Sequence, residues 1–449
     1  MVVAGVLKSA SIEPGRAPFA LLKGERLIAH NLTVGIGTIT AGVLGFAFQA
    51  AMSHRLRPSD FGAVFAAITL MTLIGLPAGG FTLLMAREAS HDRAEGAIRL
   101  SAALLRRGNR ALLIFGGAIA GLLVLGAPAL AAFLGTQTQL MWAAAVGVPF
   151  GLALPLLLGE LQGEQRFLAL SMVLVAQAAL KLIAAAVLAI VVGPVGVIAG
   201  ISAATIATYA AVMWLLRPEL SIKVDVDWWQ PAMRYLAIVI PSSVALAVLV
   251  SADVLLVKHF FPSQAAGEYS AVAALGRAIF WGASGVAWVA FPKVVFRRTR
   301  GQQPSAVIGA SLVLVVAGGM LGLVVLAAAS RTVLTVFAGS AYAGAAVYLP
   351  WYAIGMTLLG VVSVLIASLQ SQGRAGFLAI LIPLTALQPL LVGAFHQSLL
   401  EVVAMVDLSI AAVAAGLALW YVISERASRV SAPVVIAGAH AVSGLQAHR

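Results

Sequence analysis

Residues 161–167 read LQGEQRF, and residues 369–377 return to the same pattern as LQSQGRAGF. A second motif behaves in the same way, because RPSDFG at 57–62 returns as FPSQAAGE at 261–268. Both pairs are separated by about 205 residues. An internal repeat of this kind is the first guide to the arrangement of the fold. We infer that the first half of the chain recurs as the second half. An offset of this size leaves room for about six membrane spans in each half, and an even number of spans makes the repeats parallel.

The composition is that of a membrane protein. Hydrophobic residues make up 61% of the 449 residues and charged residues only 10%, with a mean hydropathy of +1.03. Soluble domains carry about 25% charged residues, so this chain has too little polar surface to face water on all sides. The chain contains no Cys, which excludes disulfides, thiolate metal sites and a cysteine nucleophile.

The apolar runs predict the fold class. About 20 apolar residues are needed to cross a hydrocarbon core of about 30 Å. Such windows fall near 31–53, 62–85, 111–133, 140–159, 169–192, 195–216, 233–257, 269–291, 305–329, 346–369, 377–396 and 400–423. We therefore expect an all-α polytopic membrane protein with about 12 transmembrane helices, arranged as two parallel six-helix halves around a central cleft.

The predicted domain organisation follows from these windows. Two six-helix halves are flanked by short segments that we expect in the cytosol. The domains in chain order are an N-terminal segment at 1–26, the first half at 27–217, a linker at 218–232, the second half at 233–423 and a C-terminal tail at 424–449.

The distribution of Lys and Arg indicates which loops are cytosolic, because cytoplasmic loops hold an excess of both. The loops at 86–110 and 292–304 are rich in them and correspond to each other in the two repeats. Placing these loops inside puts both termini in the cytosol. The net charge of +12 then reflects topology and contact with anionic lipid headgroups. Nucleic-acid binding would need a basic soluble face that the spans do not leave.

Lys181 is the first candidate binding residue. It lies about 12 residues, or about 18 Å, into the fifth predicted span, which is close to the middle of the bilayer. A lysine at that depth costs about 2.5–3.5 kcal/mol to insert, so it is expected to face a polar cavity or a partner. Gln177 lies one helical turn earlier on the same face. The pair either receives an anionic group in a central cavity, or Lys181 snorkels or pairs with a carboxylate of a neighbouring span.

Three further charged residues fall within or near spans of the second half. Arg277 is near the middle of the eighth span, and Asp253 is near the outer end of the span before it. These two form either a local ion pair or, with Arg277 facing the substrate, part of a binding site. Asp407 lies in the last span and is a candidate site for a coupling proton or cation, with an interhelical contact as the alternative.

A Gln-x-x-x-Arg element follows the fourth and the tenth predicted spans. It comprises Gln162 with Arg166 and Gln370 with Arg374. Its duplication indicates a shared role at the cytosolic face. Arg166 and Arg374 either anchor the helix ends at the level of the headgroups, or the four residues form a gate between the halves.

The sequence lacks several motifs that would indicate an enzyme. It contains no GxxxxGK[ST] nucleotide-binding loop and no HExxH motif, and its His residues do not have the spacing of metal ligands. A membrane glycan polymerase or ligase stays a further alternative, although such an enzyme would show a large outer loop and none is predicted. We expect a transporter without direct ATP hydrolysis, with no cofactor and no metal.

These motifs carry a family resemblance. Between about residues 27 and 423, the chain combines two parallel six-span halves, an outer Pro-x-x-(aromatic)-Gly turn after the first span, SADVLLVKHFFPSQAAGEYSAVAAL at 251–275, and LQGxxRF after the fourth span. It resembles the Wzx-like polysaccharide (oligosaccharide-lipid) flippase branch of the multidrug/oligosaccharidyl-lipid/polysaccharide exporter superfamily.

The resemblance implies movement of a lipid-linked sugar unit, on a polyprenyl-phosphate type carrier, from the cytosolic to the outer leaflet of a bacterial cell membrane. Membrane lipids and the glycan polymerase or glycosyltransferases of the same pathway are the implied partners. Two alternatives within the superfamily stay open: a drug/cation antiporter and a lipid II flippase. Antiporters rely on carboxylates in the first half, and we expect none at depth in spans one to six. Lipid II flippases usually have fourteen spans.

Overall fold

The computed structural model describes residues 17–95, 100–222, 229–299, 305–371, 373 and 375–430. All regular structure in these ranges is helical. The α-helices are α1 (Ala17–Arg55), α2 (Pro58–Gly75), α3 (Gly79–Glu95), α4 (Leu100–Phe133), α5 (Thr138–Gly163), α6 (Phe167–Val192), α7 (Pro194–Leu215), α8 (Arg217–Ser221), α9 (Trp229–Phe260), α10 (Ser263–Thr299), α11 (Ser305–Ala328), α12 (Ser330–Ala338), α13 (Leu349–Gln370), α14 (Leu378–Ala394) and α15 (Leu399–Val430). Short 3₁₀ segments lie at Leu76–Ala78, Ser340–Tyr348 and Ala375–Phe377.

The helices match the predicted spans. Within the described residues, 11 helical segments are long and apolar enough to cross a membrane, which makes the chain a multi-pass membrane protein. The predicted eighth span, 269–291, lies in α10, whose side chains the structure describes as far as Val286. The predicted second span is divided, because Pro77 sits in the 3₁₀ segment between α2 and α3.

The described chain divides into two compact units. Unit 1 holds the described residues up to Leu236 together with Ser263–Gly267. Unit 2 holds Ala237–Pro262 and the described residues from Glu268 onward. The first turn of α10 therefore belongs to unit 1, although the rest of that helix belongs to unit 2.

The FPSQAAGE motif at the start of α10 explains why the first turn of this helix belongs to unit 1. An added Cβ at Gly62, near the start of α2, would lie 2.9 Å from Cα of Gly267, near the start of α10. An added Cβ at Gly267 would collide with the carbonyl oxygen of Pro58. The two glycines that share a repeat position thus allow the two helix starts to pack backbone against backbone.

The LQGEQRF motif is a helix C-cap. At the end of α5, the N–H of Arg166 donates to the carbonyl of Leu161 and the N–H of Gln165 to that of Gln162, at 2.9 and 3.1 Å. This pair of bonds is a Schellman motif with Gln165 at the left-handed position, φ 58°. The second repeat has Gly373 in the equivalent place, with φ 67° and a 3.1 Å bond from its N–H to the carbonyl of Gln370.

Close helix packing in unit 1 also depends on glycine. A Cβ added at Gly159 of α5 would lie 2.5 Å from the carbonyl oxygen of Thr82 in α3, and one at Gly163 would lie 2.5 Å from Cβ of Ala89. Since Gly159 and Gly163 are one turn apart, they form a stripe on which α3 lies against α5. Glu160 follows Gly159 directly in α5 and is buried.

Candidate functional site

Lys181 lies on α6, and its ammonium group stands over the ring of Phe48 from α1, 4.5 Å from the ring centroid. None of the ion pairs found among the described side chains involves Lys181. The attraction between a cation and an aromatic face is worth about 0.5–2 kcal/mol, but it does not neutralise the charge of the cation. The sequence left open whether Lys181 faces a cavity, snorkels or pairs with a carboxylate. Among the described side chains, it does not pair with a carboxylate.

A cavity of about 320 Å³ lies inside unit 1, between α2, α5, α6 and α7. Gln177 forms part of its wall, one turn before Lys181 on the same helix, and Thr205 of α7 adds a hydroxyl group. The remaining lining is apolar or glycine, with Met71, Pro155 and Gly151 among it. A mainly apolar wall with few polar groups is the usual character of a small-molecule site.

Arg277 and Asp253 form the predicted local ion pair. Nη2 of Arg277 donates to Oδ1 of Asp253 at 2.9 Å, and both side chains are buried. Two tyrosine hydroxyls, those of Tyr269 and Tyr352, donate to Oδ2 of Asp253 at 3.1 and 2.8 Å. Nε of Arg277 donates to the hydroxyl oxygen of Tyr352 at 3.2 Å. The guanidinium is therefore engaged within unit 2, and a role in substrate binding stays a prediction.

Asp407 is buried less completely and has fewer partners. Its Oδ1 has no hydrogen-bond partner in the described structure and lies directly against Gly355 of α13. The absence of a side chain at residue 355 makes room for this carboxylate. An unpaired carboxylate oxygen is compatible with proton or cation binding, which stays a prediction.

The four residues of the predicted gate differ in their environments. Arg166 pairs with Glu164 at 3.3 Å and with Glu219 of α8 at 3.0 Å, all within unit 1. Gln370 donates from Nε2 to Ser242 Oγ at 2.8 Å within unit 2. Gln162 is exposed, and Arg374 lies outside the described residues. A gate formed by these residues is therefore still a prediction.

Sequence reasoning missed a group of acidic side chains at one end of α5. The predicted fourth span ends at residue 159, but α5 continues to Gly163 and carries Glu160, whose exposed fraction is 1%. The expectation that the first six spans hold no carboxylate at depth thus overlooks a carboxylate buried in the last turns of a span. A signal was present in the sequence, since Glu160 follows a long apolar run without a break and Glu164 lies one turn later.

The carboxyl groups around Glu160 are mostly shielded from water. Glu164 lies outside the spans, and its side chain is 22% exposed. Burial raises the pKa of Glu164, and the nearby Glu219 carboxylate raises it further, although the Arg166 guanidinium opposes both. Arg166 is the principal cation of this group, and it serves two carboxylates already.

Comparisons with known proteins find similarity at the level of structure only. No family model matches the chain, and no curated protein matches it. An inward-facing multidrug resistance MATE family transporter of the MOP superfamily is similar with a TM-score of 0.69 and 12% identity, over 88% of this chain and 96% of that one. The eukaryotic MATE transporter AtDTX14 gives 0.68 and 13%, over 89% and 96%.

A flippase has a similar structure. The lipid II flippase MurJ in an inward closed conformation matches with a TM-score of 0.68 and 13% identity, covering 87% of each chain. At such low identity these likenesses establish the fold. The all-α architecture predicted from the sequence is the fold that MATE transporters and MurJ share.

Proposed function

We propose that this protein is a membrane flippase that moves a lipid-linked oligosaccharide or polysaccharide repeat unit, carried on a polyprenyl-phosphate type lipid, from the cytosolic to the outer leaflet by alternating access. The observation that carries the proposal is Lys181, a cation in the middle of a span whose described contact is the ring of Phe48. A sugar-phosphate head cannot cross hydrocarbon unassisted, because its charge and hydroxyl groups would lose their hydration.

The charge of Lys181 requires an explanation. Its insertion costs about 2.5–3.5 kcal/mol on biological scales, so an intramembrane lysine is a functional hypothesis by default. An ammonium group binds phosphate as a point charge with three donors. No described carboxylate pairs with Lys181, and the phosphate group of the substrate would be its anionic partner.

The neighbouring cavity suits the sugar next to that phosphate. Its volume of about 320 Å³ is at the lower end of the range for small-molecule sites, about 300–1,000 Å³. Gln177 and Thr205 offer an amide and a hydroxyl group to sugar hydroxyls, and the rest of the wall is mainly apolar. Lys181 is not among the residues that line the cavity, but Gln177 is, and it lies one turn before Lys181 on α6. A sugar-phosphate head that extends beyond the cavity would contact both.

The fold and the membrane potential are consistent with this direction of transport. MurJ, one of the similar structures, is named as a lipid II flippase. Under an inside-negative potential, outward movement of one negative charge across the full field is favourable by about 2.3 kcal/mol per 100 mV. An anionic head could therefore be driven outward without ATP.

The proposed location and partners follow from the same substrate. We place the protein in the bacterial inner membrane with both termini in the cytosol, as the loops rich in Lys and Arg predict. The substrate would come from glycosyltransferases on the cytosolic leaflet and pass to a glycan polymerase outside.

A drug/cation antiporter is the second candidate. The unpaired Oδ1 of Asp407 favours it, because a cation or proton would complete the coordination of that oxygen. The similar MATE structures are named as multidrug transporters, which agrees with this alternative. An antiporter would need Asp407 and tolerate the loss of Lys181, whereas the flippase has the opposite requirement.

The test is the distribution of lipid-linked glycan between the leaflets in cells depleted of the protein and complemented with variants. Lys181→Met should leave glycan on the cytosolic leaflet, Lys181→Arg should retain part of the activity, and the exposed Arg331→Ala should be a neutral control. Normal glycan export with Lys181→Met, at normal protein abundance, would refute the role of Lys181. Normal export after depletion, together with new sensitivity to cationic drugs, would replace the flippase with the antiporter.

A further inference from the structure

Glu160 presents a problem that the proposed transport function does not address. Its side chain is 1% exposed, and its Oε2 has no hydrogen-bond partner in the described structure. An ionised carboxylate held in this way would keep the full cost of desolvation, because no partner compensates for the lost water. The environment of Glu160 therefore decides which form of the carboxyl group the fold can accept.

The groups that face Glu160 are mostly negative. Asp92 of α3, Glu164 after α5 and Glu219 of α8 all act on it electrostatically. Arg166 is the cation that opposes them.

The arginines in this part of unit 1 have other acceptors. Arg166 pairs with Glu164 and Glu219. Arg93 of α3 donates to the carbonyl oxygen of Glu164, and Arg106 of α4 donates to that of Ile222 at 2.9 Å. Asp92 accepts a 2.8 Å hydrogen bond from the N–H of Ser101, so it is fixed at the start of α4. None of these bonds is directed at Oε2 of Glu160.

A metal ion is not a suitable solution to this excess of negative charge. Among the described residues, no three His, Asp or Glu side chains converge closely enough to hold a metal ion. A proton binds to a single carboxyl group, and a proton on Glu160 makes that group neutral. The cluster also offers a route for it, because the exposed fraction of the side chain rises from 14% at Glu219 to 22% at Glu164.

We propose that Glu160 is a proton-binding site, which holds a proton in the described conformation and exchanges it with water through Glu219 and Glu164. This end of α5 is the one that the basic loops predict to be cytosolic, so the proton comes from the cytosol. The inference rests on the geometry of unit 1 and does not require the proposed flippase activity. In a transporter the same proton would couple or regulate the cycle, because a change in the packing of α3 against α5 would alter the surroundings of Glu160.

The direct test is infrared spectroscopy of the full chain in lipid nanodiscs during a pH titration. Protonated and ionised carboxyl groups have distinct stretching bands, so the method needs no substrate. We expect the wild type to show a protonated-carboxyl band at neutral pH and Glu160→Gln to weaken it. Glu88→Gln, which removes a carboxylate of α3 paired with Arg87 at 3.7 Å, is the matched control and should leave the band unchanged.

Two further variants make the result decisive. Asp407→Asn removes the contribution of the half-buried carboxyl group in α15, so that a loss of the band on adding Glu160→Gln to this background reports on Glu160. Glu219→Gln removes a negative neighbour and frees Arg166, and both effects should move the loss of the band to lower pH. This shift tests the proposal even if Glu160→Gln does not fold. A wild type without the band at neutral pH, or a Glu160→Gln protein with the full band, would overturn the proposal.

Discussion

Arg277 donates a 2.9 Å hydrogen bond from Nη2 to Oδ1 of Asp253, and the two residues lie on consecutive helices, α10 and α9. The tyrosine hydroxyls of Tyr269 and Tyr352 occupy the second carboxylate oxygen. The bonds link three helices of unit 2, because Tyr352 belongs to α13. A buried ion pair that is fully hydrogen-bonded in this way fixes the packing of the helices around it, and the cost of breaking it exceeds its net value.

We therefore expect Asp253→Asn to destabilise unit 2 strongly. Removing one member of a buried pair leaves the other charge uncompensated, at a cost of about 3–5 kcal/mol. The double variant Asp253→Leu with Arg277→Met removes both charges and should be more stable than either single variant. Thermal unfolding of the purified protein in detergent measures this difference. A double variant as unstable as the sum of the single ones would contradict the proposed coupling.

Gly267 should tolerate no side chain. Its Cβ would collide with the backbone carbonyl of Pro58, and overpacking of this kind costs about 1–3 kcal/mol. Gly267→Ala should thus lower the melting temperature. Gly282→Ala in the same helix is the control, because a Cβ there meets nothing within 4 Å, and alanine favours a helix by about 0.5–1 kcal/mol. Equal melting temperatures for the two variants would show that the contact with α2 is unimportant.

Gln165 and Gly373 occupy equivalent positions in the turns after α5 and α13. We expect opposite effects on stability when each is replaced by the residue found at the other position. Gln165 adopts φ 58°, a left-handed conformation that costs an ordinary residue about 1–2 kcal/mol. Gln165→Gly should therefore be neutral or stabilising, since the relief of strain offsets the greater backbone entropy of glycine when unfolded. Gly373→Gln should destabilise. Chemical denaturation midpoints of both variants test this, and a large loss of stability in Gln165→Gly would instead indicate that the Gln165 side chain has a role.

Much of the fold could be predicted because the apolar runs are long and the repeat is regular. Span positions depend on local hydrophobicity, so the windows coincide with helices throughout the described chain. The left-handed turn in the second repeat was readable from Gly373, since glycine is the usual residue at that cap position. The equivalent turn at Gln165 had no such signal, and only the repeat could have indicated it.

The candidate site was only partly predictable. Gln177 and Lys181 share a helix face because of their spacing, which the sequence gives directly. The contact of Lys181 with Phe48 joins α6 to α1, and the bond of Tyr352 to Asp253 joins residues 99 positions apart. Such contacts depend on tertiary packing, which a single sequence does not encode in any local pattern. The spacing of Glu160 and Glu164 was visible in the sequence, but the approach of Glu219 from α8 depends on tertiary packing in the same way.

The contact between Asp407 and Gly355 allows a further test. A Cβ at Gly355 would meet Oδ1 of Asp407, so Gly355→Ala should force that carboxylate to move. If Asp407 serves an antiporter, Gly355→Ala should reduce the extrusion of cationic drugs about as much as Asp407→Asn does. If the protein is a flippase that does not use Asp407, neither variant should change glycan export at equal protein abundance. The comparison of the two readouts distinguishes the candidate functions.

The cavity in unit 1 can be filled without disturbing its walls. Gly151 lines it, and a Cβ at this position would meet only Cγ2 of Thr205, at 3.9 Å. A leucine side chain at residue 151 would therefore extend into the cavity, where burial of its apolar surface stabilises the fold by about 0.5–2 kcal/mol. The control is Gly117→Leu on α4, because a Cβ there meets nothing within 4 Å.

If the substrate head occupies this cavity, Gly151→Leu should reduce glycan flipping at least about tenfold, which corresponds to a loss of about 1.4 kcal/mol of binding or activation free energy. The melting temperature should stay the same or rise, which separates blocked binding from misfolding. Flipping by reconstituted protein and thermal unfolding are to be measured on the same preparations. Normal flipping by a stable Gly151→Leu protein would remove the cavity from the transport path, and it would leave Lys181 to act on a substrate that enters from elsewhere.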